Sequence, residues 1–463
     1  MLFSDFKVSG REIRRVGVFG LGKSNIGVVE YISKKHPNVT FCLRSDKPID
    51  KNAAMRVALF NEIYEGDHAF DNLAEDVIFL SPSARWDKKE FEEAKNGGVL
   101  LSSDAHLFFE NFKNEVFAIS GSDGKSTTTT LTALLLNERY STLAVCGNIG
   151  RSMSSVLREN HHAAVTELSS FQLMNLKPHS KRSLITNITP NHLDWHSSFD
   201  EYVQAKTNLY ENAEERVFCA DSDITVSLLK KFPAFAIYSA TLSEKDLRAV
   251  SDAEVYVWCE NGFIVANGER LLNVDAIAAS GSHNLSNLMA AISMTYGLIS
   301  KRHIQTVAEN FKGLAHRNRL VYQRCGIDFY DSSIDSTPKR TATTLASHKD
   351  NVTLILGGKG KGLSYSELCD PINKHAKCVV ICGENRDQIY DDIRSCVLKD
   401  GKTRILLADS FEDAIISAIS ETEPGGAVLL SPASTSYDRF ANFEERADAF
   451  LSIIKNFYEN KLQ

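Results

Sequence analysis

Short apolar runs alternate with longer amphipathic stretches along most of the chain, a pattern typical of parallel α/β units. The first unit opens with the apolar run Val16–Gly22 and continues through a polar turn at Lys23–Gly27 into an amphipathic stretch. This order predicts a strand, a glycine-rich turn and a helix. We expect residues 1–103 to form a Rossmann-like first domain. Its next strands are predicted at Val39–Leu43 and Asp76–Leu80.

A second region begins with a predicted strand at Val116–Ser120, which the run GSDGKSTTTTLTALLLNE follows. The segment Val255–Asn267 alternates around Asn261-Gly262, which predicts hairpin strands rather than a helix. A helix is predicted to start near Asn284. We expect residues 104–313 to form a central domain of the P-loop ATPase type with a mostly parallel sheet. Its other predicted strands are Ala163–Thr166 and Ser183–Asn187.

The third region, residues 314–463, again alternates short apolar runs with helical stretches. It predicts a second open parallel sheet, so the whole chain is expected to be an α/β protein of three domains with a Rossmann-like domain at each end. Its strands are predicted at Ile327–Tyr330, Val352–Leu356, Cys378–Cys382, Ile405–Leu407 and Ala427–Leu430.

Composition narrows the class of protein. The net charge of -7 and the pI near 6.0 argue against a nucleic-acid-binding protein. No apolar run reaches the ~18–20 residues that a membrane helix needs, and the N-terminus lacks a signal-peptide pattern. Nine scattered cysteines predict reduced thiols in a cytoplasmic protein, with Cys378 and Cys382 in a buried strand rather than a zinc site. Without a coiled-coil or apolar interface pattern, we expect a monomer.

The run Gly121–Thr127, GSDGKST, lies between a predicted strand and a predicted helix, the context that a phosphate-binding loop requires. Its glycines let backbone N–H groups converge on phosphate oxygens at a helix N-terminus. In this interpretation Lys125 reaches the β- and γ-phosphates and the Ser126 hydroxyl binds Mg²⁺. The pattern lacks its usual first glycine, because Ile119 stands there. The alternative is a chance turn of glycine, lysine and serine.

Four polar residues elsewhere in the central region admit both a functional and a plain structural interpretation. Glu167 follows a predicted strand, where a carboxylate can hold Mg²⁺ or simply be solvated. His192 is either a metal ligand or a packed histidine, and composition alone makes Lys206 a surface lysine. Asn284 is either a helix N-cap or a contact to an adenine edge.

The third region adds two further clusters of polar residues. Arg317 lies in AHRNRL, and Asp331 follows the strand IDFYD, where a carboxylate can accept from ribose hydroxyls. The turn Gly357–Gly362, GGKGKG, follows a strand and carries two lysines that would attract a phosphate or a carboxylate.

Taken together, these motifs resemble the Mur ligase family along essentially the whole chain. The segments that carry the resemblance are GSDGKST, ELSSFQL, TNITPNHLDWH, GSHNLSN, AHRNRL, FYDSS, LGGKGKG and LSPASTSYDRFANFEERADAF. The last segment is similar to the members that add D-glutamate. The DNPR-like motif of members that add diaminopimelate or lysine is absent.

The resemblance implies a reaction and its partners. The family's ATP-dependent ligases phosphorylate a carboxylate, and an amine then attacks the acyl phosphate to give an amide. For this chain it implies UDP-N-acetylmuramoyl-L-alanine and D-glutamate as substrates, in peptidoglycan synthesis. It also implies Mg²⁺, in the form of two ions, and a carbamylated Lys206 that turns a cation into an anionic metal ligand.

The resemblance also assigns residues, position by position. It implies catalytic roles for Lys125, His192 and Lys206, and metal contacts from Ser126, Glu167, His192 and Lys206. It implies ATP contacts from Ser122, Asp123, Gly124, Lys125, Ser126, Thr127, Thr128, Asn284, Asn287, Arg317 and Asp331. For the substrates it implies UDP-binding residues in the first domain, a muramoyl contact and a D-glutamate pocket, which are Lys23, Ser24, Ser45, Ser81, Asn148, Lys361, Ser436 and Phe443.

Two positions depart from the family pattern. Many members read D-S-K-A-T after the strand, whereas this chain has Ser333 at the lysine position. The amino-acid pocket therefore lacks that ammonium group, and Lys359 or Lys361 is the candidate replacement. Ala447 stands where the family usually has glycine, a change that we expect to be tolerated.

Three other functions compete with this interpretation. One is another ligase of the same superfamily, such as a folylpolyglutamate synthase. A second is a dinucleotide-dependent oxidoreductase built on the first glycine-rich turn, but Asn25 replaces the third glycine of that fingerprint. A third is a non-catalytic nucleotide switch, which does not explain two phosphate-type loops together with Lys206.

Overall fold

The computed structural model describes residues 7–49, 59–193, 195–279, 281–397 and 403–460. The chain divides into two compact units, Met1–Phe311 and Lys312–Gln463. The first unit contains two large sheets and the second contains one. A division of the first unit near residue 103 remains a prediction. Among the residues described, no helix has the length and apolar character needed to cross a membrane.

The first unit begins with a short antiparallel pair, β1 (Lys7–Val8) and β2 (Arg11–Glu12). A five-stranded parallel sheet follows. Its strands are β3 (Arg15–Phe19), β4 (Thr40–Ser45), β5 (Glu62–Glu65), β6 (Val77–Leu80) and β7 (Leu100–Ser102), in the order β5-β4-β3-β6-β7. Its helices are α1 (Lys23–Lys35), α2 (Lys89–Asn96) and α3 (Asp104–Asn111).

Both faces of this sheet are covered by apolar side chains, as parallel sheets require. Val16 and Val18 pack with Val28 of α1 on one face. Phe19 and Leu80 belong to a separate cluster on the other face, which includes Phe91 of α2. The strand, turn and helix predicted over Val16–Lys35 are confirmed.

A nine-stranded sheet forms the rest of the first unit. Its strands are β8 (Glu115–Ser120), β9 (Leu143–Gly147), β10 (Ala163–Glu167), β11 (His179–Ile185), β12 (Asn212–Cys219), β13 (Ala236–Ser239), β14 (Val255–Glu260), β15 (Phe263–Ala266) and β16 (Glu269–Asn273), in the order β16-β15-β14-β13-β12-β11-β8-β10-β9. Its helices are α4 (Lys125–Leu136), α5 (Met153–Val156), α6 (Ser170–Leu173), α7 (Phe199–Glu211), α8 (Asp223–Leu228), α9 (Glu244–Val250), α10 (Ser282–Thr295) and α11 (Lys301–Asn310).

The last three strands of this sheet pair antiparallel, and the other strands are parallel. The predicted hairpin is confirmed. Its turns use Asn261-Gly262, with φ of +49° and +77°, and Asn267-Gly268, with φ of +46° and +85°. Positive φ at both central residues is typical of type I′ turns, which asparagine and glycine accommodate with little strain.

The second unit is a six-stranded sheet in which β17 is an antiparallel edge strand and the other five strands are parallel. Its strands are β17 (Arg319–Arg324), β18 (Ile327–Asp331), β19 (Val352–Gly357), β20 (Ala376–Cys382), β21 (Arg404–Leu407) and β22 (Ala427–Leu430), in the order β17-β18-β22-β19-β20-β21. Its helices are α12 (Pro338–Ala346), α13 (Cys369–His375), α14 (Arg386–Val397), α15 (Phe411–Glu421) and α16 (Phe443–Asn460).

The N-cap alternative for Asn284 and the end of one predicted strand were wrong. Helix α10 begins at Ser282 with Gly281 as its N-cap, so Asn284 lies inside the first turn and is not the cap. The strand predicted to reach Asn187 ends at Ile185, because the chain turns there to contact the loop after β8. Gly281 has a φ of +101°, which suits glycine and stops the helix from extending backwards.

The expectation that all nine cysteines are reduced was also wrong. Cys369 and Cys396 form a disulfide, with their Cα atoms 5.9 Å apart. One cysteine begins α13 and the other lies near the end of α14, and these helices lie against each other. Because the two positions are 27 residues apart, only the packing of the helices brings them together. Cys378 and Cys382 are free and buried in β20, as predicted.

A fully buried ion pair fixes the end of β4 in the first sheet. The Arg44 Nε atom lies 2.7 Å from Glu75 Oε1, and neither side chain is exposed to solvent. The Arg44 guanidinium also donates to the carbonyl oxygens of Ala69, Asp71 and Asn72. One cation thus pairs with one carboxylate oxygen of Glu75 and satisfies three backbone acceptors in the segment that leads to β6.

We predict that Arg44→Ala lowers the free energy of unfolding by about 3–5 kcal/mol, because it leaves the Glu75 carboxylate buried without its cation. Urea unfolding followed by circular dichroism measures the change. Arg151→Ala is the matched control, since Arg151 pairs with Glu159 while both side chains remain 44% and 50% exposed. The control should change the stability by less than about 1 kcal/mol. Equal effects of the two variants would contradict the prediction.

Candidate functional site

The loop between β8 and α4 has the backbone geometry of a phosphate-binding loop. Gly121 and Gly124 have φ of +145° and +79°, and α4 starts at Lys125 directly after Gly124. A side chain at Gly121 would lie 1.9 Å from Thr186 Oγ1, so glycine is required there for space as well as for conformation. The Thr186 hydroxyl donates to Asp123 O, 2.6 Å away, and holds the loop in shape. The predicted strand, loop and helix are therefore present.

The side chain of Lys125 folds back over this loop. Its Nζ atom donates to the carbonyl oxygens of Gly121 and Ser122, each 2.8 Å away. Asn287 of α10 lies on the opposite side, where its Oδ1 accepts from Thr128 Oγ1 at 3.2 Å. A side chain at Gly124 would meet the same Asn287 oxygen at 2.3 Å. The structure thus places Asn287 against the loop, one turn along α10 from the partly buried Asn284.

Lys206 is buried beside the same loop, with only 1% of the residue exposed. Its Nζ atom donates to Gly121 O at 2.7 Å and to Ser120 Oγ at 3.4 Å, and it lies 4.8 Å from the centre of the Tyr202 ring. Burial, together with the nearby Lys125 charge, holds the pKa of Lys206 well below its ordinary value. Lys206 is therefore a buried, poorly solvated amine and not a surface lysine.

Glu167 ends β10 and is fully buried. Its Oε1 atom accepts from Asn148 Nδ2 at 2.6 Å, so a predicted metal ligand and a predicted muramoyl contact are hydrogen-bonded to each other. The other oxygen, Oε2, is buried without a hydrogen-bond partner. Burying a carboxylate oxygen without a partner costs free energy, and a bound cation would offset that cost. Glu167 therefore fits the role of a Mg²⁺ ligand.

His192 lies in a tight turn close to helix α6. Its φ of +54° is unusual for a residue other than glycine. Its carbonyl oxygen accepts from the amides of Trp195 and His196, and its ring lies 5.0 Å from the ring of Phe171 in α6. Within the ranges that the structure describes, no group of three or more His, Cys, Asp or Glu side chains could hold a metal ion. A metal here would need hydroxyl, phosphate, water or modified-lysine ligands as well.

The predicted nucleotide-sugar residues surround the carboxyl ends of β3 and β6. The strand order reverses between β3 and β6, because β3 is followed by β4 on one side and β6 by β7 on the other. Open α/β sheets bind ligands at such a topological switch point. A side chain at Gly20 would lie 3.1 Å from Ser81 Oγ, so the two loops approach closely. The Lys23 ammonium group donates to Gly150 O in the loop that carries Asn148. The structure thus brings Lys23, Ser81 and the Asn148 loop to one region.

Two other predicted substrate residues have local surroundings of their own. Ser24 lies half-buried in the first turn of α1. The hydroxyl of Ser45, at the end of β4, donates to Lys47 O at 2.6 Å and accepts from the amide of Lys47 at 3.3 Å. The Ser45 hydroxyl is therefore engaged in a turn, and a ligand there would compete with that turn.

In the second unit, Asp331 ends β18 with its carboxylate engaged. Its Oδ2 atom lies 2.7 Å from His316 Nδ1, and its Oδ1 atom accepts from the amide of Ser333 at 2.9 Å. Burial raises the pKa of Asp331, while the hydrogen bonds from Ser333 and His316 oppose that shift. Arg317 follows His316 in the same short segment, so this segment and the end of β18 lie together.

The cation that contacts Ser333 is Arg446 of α16. Its Nε atom donates to Ser333 Oγ at 2.9 Å, and its Nη2 atom donates to Ser333 O and Ser434 O at 2.7 and 3.1 Å. Only 2% of Arg446 is exposed, and burial lowers its pKa to about 10. The Ser333 hydroxyl in turn donates to Phe443 O at 2.9 Å. This guanidinium stands next to the position where the family pattern has a lysine.

The remaining residues of the predicted D-glutamate pocket lie on two loops of the second unit and at the start of α16. Lys361 Nζ donates to Ser336 Oγ at 3.0 Å, just before α12, and burial with the nearby Arg340 charge lowers its pKa. Ser436 is buried, and its carbonyl oxygen accepts from the amide of Phe440 at 2.9 Å. The Phe443 ring lies 5.8 Å from the His316 ring.

Sequence reasoning missed two residues that shape these sites. Tyr202 places its ring beside Lys206, and its hydroxyl lies 2.8 Å from Ser122 Oγ in the phosphate loop. The spacing of four positions between Tyr202 and Lys206 on a helix could have signalled this contact. Arg446 was recognised only as part of a C-terminal signature, because nothing in the sequence shows that its guanidinium reaches Ser333.

Comparison with known proteins agrees with these features. Residues 119–295 match the family description Mur ligase middle domain, and residues 316–434 match Mur ligase, glutamate ligase domain. A UDP-N-acetylmuramoylalanine–D-glutamate ligase of Ruminiclostridium cellulolyticum is 34% identical and covers 96% of this chain and 97% of its own length. Proteins of the same name from Acetivibrio thermocellus and Clostridium tetani are 34% and 33% identical over at least 96% of each chain.

Solved structures share the fold at lower identity. UDP-N-acetylmuramate-alanine ligase MurC from Thermotoga maritima has a TM-score of 0.59 at 17% identity, and the match covers 96% of this chain and 99% of that one. MurF from Acinetobacter baumannii has a TM-score of 0.56 at 17% identity, with 96% and 95% covered. With a phosphate loop, a buried lysine against it and relatives above 30% identity over nearly its whole length, the chain belongs to the Mur ligase family of ATP-dependent, amide-bond-forming ligases.

Proposed function

We propose that this protein joins D-glutamate to UDP-N-acetylmuramoyl-L-alanine, with ATP converted to ADP and phosphate as the amide forms. The relatives that bear this activity in their names match the chain from end to end. The observation that carries the proposal is the position of Lys206, a buried amine on the backbone of the phosphate loop. Burying a lysine costs free energy, so its position calls for a functional reason. A lysine modified to an anion could bind the metal ion beside the phosphates during their transfer.

In the proposed reaction a carboxylate oxygen of the nucleotide substrate attacks the γ-phosphorus of ATP, and the bond to the ADP oxygen breaks. The amine nitrogen of D-glutamate then attacks the carbonyl carbon of the acyl phosphate and loses a proton as the N–C bond forms, and phosphate leaves with the electron pair of the broken C–O bond. The backbone of Gly121–Thr127 and the Lys125 ammonium hold the phosphates of ATP. Mg²⁺ would neutralise the phosphate charge in both steps.

We infer that two Mg²⁺ ions take part and that Ser126, Glu167, His192 and a carbamylated Lys206 supply their protein ligands. The neutral Nζ atom of Lys206 would attack CO₂. An N–C bond forms, a C=O electron pair moves onto oxygen, and the nitrogen loses a proton. The product is an anion where a cation would repel the metal. The low pKa of Lys206 and the unpartnered Oε2 atom of Glu167 support this role.

We further propose that Lys361, Ser436 and Phe443 form the D-glutamate pocket and that Arg446 keeps its walls in place. D-glutamate brings two carboxylates, so its pocket must supply positive charge and fixed donors. Lys361 supplies an ammonium group, and Arg446 holds the Ser333 hydroxyl and the Ser434 carbonyl group. The nucleotide contacts proposed for Arg317 and Asp331 lie on the adjoining end of β18.

The runner-up is a family member that adds a different amino acid. Ser333 favours this alternative, because it removes an ammonium group that many members carry at that position. We place the enzyme in the cytoplasm, where ATP is available, and propose that it acts as a monomer.

The substrate assignment predicts that ATP and Mg²⁺ release phosphate only when both UDP-N-acetylmuramoyl-L-alanine and D-glutamate are present. A coupled phosphate assay with each component omitted in turn checks this. L-glutamate, L-lysine and diaminopimelate are the matched competitors for D-glutamate. Phosphate release with another amino acid instead would support the ligase reaction but not D-glutamate as the substrate, and Ser333 would be the first position to test for the changed specificity. Release without the nucleotide substrate would overturn the proposed substrate.

The metal-site assignment predicts that Lys206→Ala lowers kcat roughly 10²- to 10³-fold, since it removes an electrostatic group from the reacting centre. A short-chain acid such as acetate should restore part of the activity, because its carboxylate can enter the space that the side chain leaves. Lys231→Ala, which alters an exposed ion pair with Glu211, is the control and should keep full activity. Thermal unfolding separates loss of activity from loss of fold. A fully active Lys206→Ala would contradict the assignment.

The proposed role of Arg446 predicts that Arg446→Lys raises the KM for D-glutamate about tenfold, with a smaller change in kcat. Lysine keeps the charge but cannot reach Ser333 Oγ, Ser333 O and Ser434 O at the same time. Steady-state kinetics with D-glutamate as the varied substrate measure the effect. Arg404→Lys, in an exposed pair with Glu421, is the control. An unchanged KM combined with a lower thermal midpoint would show that Arg446 serves stability alone.

A further inference from the structure

Arg85 lies in the loop after β6, four residues beyond Ser81, and takes no part in the proposed reaction steps. Its Nη1 atom donates to Trp195 O at 2.8 Å. Its Nη1 and Nη2 atoms contact the two carboxylate oxygens of Glu201 at 3.2 and 3.1 Å. Its Nε atom donates to Asp87 at 2.9 Å within its own loop. A single guanidinium therefore connects the first sheet to the loop and the helix that follow β11.

A second contact runs in the opposite direction between the same two segments. Trp195 Nε1 donates to Ser83 O at 2.9 Å, and the Arg85 guanidinium lies 4.9 Å from the centre of the Trp195 ring. Arg85 and Trp195 thus each place a side chain on the backbone of the other's loop. Two reciprocal contacts fix a relative position more firmly than one, because neither loop can slide without breaking both.

The contact continues from Glu201 through His196 to Ser170, close in sequence to the proposed metal ligand Glu167. Glu201 Oε2 lies 3.2 Å from His196 Nδ1, and His196 Nε2 lies 2.9 Å from Ser170 Oγ at the start of α6. The His196 side chain is fully buried. The segment between Glu167 and Ser170 is short, so this chain of hydrogen bonds ends three residues from a proposed metal ligand.

Helix α7 carries the same connection to the phosphate loop. Glu201 lies in its first turn, where Arg85 holds it, and Tyr202 and Lys206 reach Ser122 and Gly121 from the same helix. A helix transmits a displacement of one end to the other because its backbone hydrogen bonds keep its length fixed. The position of Arg85 therefore bears on where the Lys206 amine lies.

His192 requires this kind of external support. A left-handed φ at a residue other than glycine costs free energy and persists only where the surroundings enforce it. The turn is closed by the amides of Trp195 and His196, and these two residues are the ones that Arg85, Ser83, Glu201 and Ser170 hold. Without these contacts the turn would relax and His192 would shift.

We propose that Arg85 is a positioning residue that couples the nucleotide-sugar loop after β6 to the metal-site residues His192 and Lys206. This inference rests on the proposed function of those two residues. When the nucleotide substrate orders the loop that contains Ser81, Ser83 and Arg85, the turn at His192 and helix α7 are held in the arrangement that the metal requires. By the reciprocity of linked binding, metal and ATP then strengthen binding of the nucleotide substrate.

The first experiment compares Arg85→Ala and Arg85→Lys with Arg158→Ala. Arg158 pairs with Glu30 at 2.8 Å and also joins the first sheet to the central one, with side chains 32% and 42% exposed, but it lies away from these loops. We expect Arg85→Ala to lower kcat roughly 10- to 100-fold, the cost of a small displacement of catalytic groups. The Mg²⁺ concentration for half-maximal activity should rise as well. Arg85→Lys should fall between, and Arg158→Ala should behave as wild type.

The second experiment measures coupling directly, by calorimetric titration of UDP-N-acetylmuramoyl-L-alanine with and without Mg²⁺ and a non-hydrolysable ATP analogue. Wild type and Arg158→Ala should bind the nucleotide substrate at least fivefold more tightly when the analogue is present, and Arg85→Ala should lose this difference. Hydrogen exchange of residues 191–206 should be faster in Arg85→Ala than in Arg158→Ala. The proposal is overturned if kcat, the Mg²⁺ midpoint and the coupling of Arg85→Ala stay within twofold of wild type, or if Arg158→Ala loses as much.

These outcomes are separable from failure of the proposed function. If wild type shows no phosphate release with D-glutamate, the substrate assignment falls, but hydrogen exchange over residues 191–206 still judges whether Arg85 holds the turn and the helix. If wild type is active and Lys206→Ala is fully active too, the role of Lys206 falls. In that case an unchanged Mg²⁺ midpoint in Arg85→Ala would overturn the coupling as well.

Discussion

Two lysine side chains donate to one carbonyl oxygen, that of Gly121, and the geometry of the candidate site depends on this contact. Lys125 and Lys206 both donate to that oxygen, at 2.8 and 2.7 Å. Two positively charged groups on one oxygen repel each other, and the Lys125 charge adds to burial in lowering the pKa of Lys206. Lys206 is the more deeply buried of the two, with 1% of the residue exposed. A glycine at position 121 is indispensable, because only glycine presents its carbonyl group in this direction beside Thr186.

The architecture serves this centre through the carboxyl ends of parallel strands. Ser120 and Glu167 end adjacent strands of the central sheet, and the Ser120 hydroxyl donates to the backbone just beyond Glu167, at 2.7 Å to Leu168 O. In the second unit, Asp331 and Gly357 end strands on either side of β22. The alternation of strands and helices thus delivers polar side chains to one edge of each sheet, while the apolar runs behind them form the cores.

The sequence predicted the parts that depend on local pattern. Strand β3, the turns at Asn261 and Asn267 and the loop at Gly121 each have a local spacing or residue type that favours the structure observed. It did not predict β12, whose first half is polar, or β17, a mostly exposed edge strand that begins and ends with arginine. The contacts of Arg446 with Ser333 and of Arg85 with Trp195 join residues more than one hundred positions apart, and no local pattern records them.

The disulfide between Cys369 and Cys396 makes the stability of the second unit depend on whether its compartment is oxidising or reducing. Such a bridge stabilises a protein mainly by restricting the unfolded chain, by roughly 3–4 kcal/mol for a loop of this size. A compartment rich in glutathione or thioredoxin keeps bridges of this kind open. The packing of α13 against α14 must therefore suffice on its own wherever the thiols are reduced. Oxidation of the two thiols would then add a stabilising increment to the second unit.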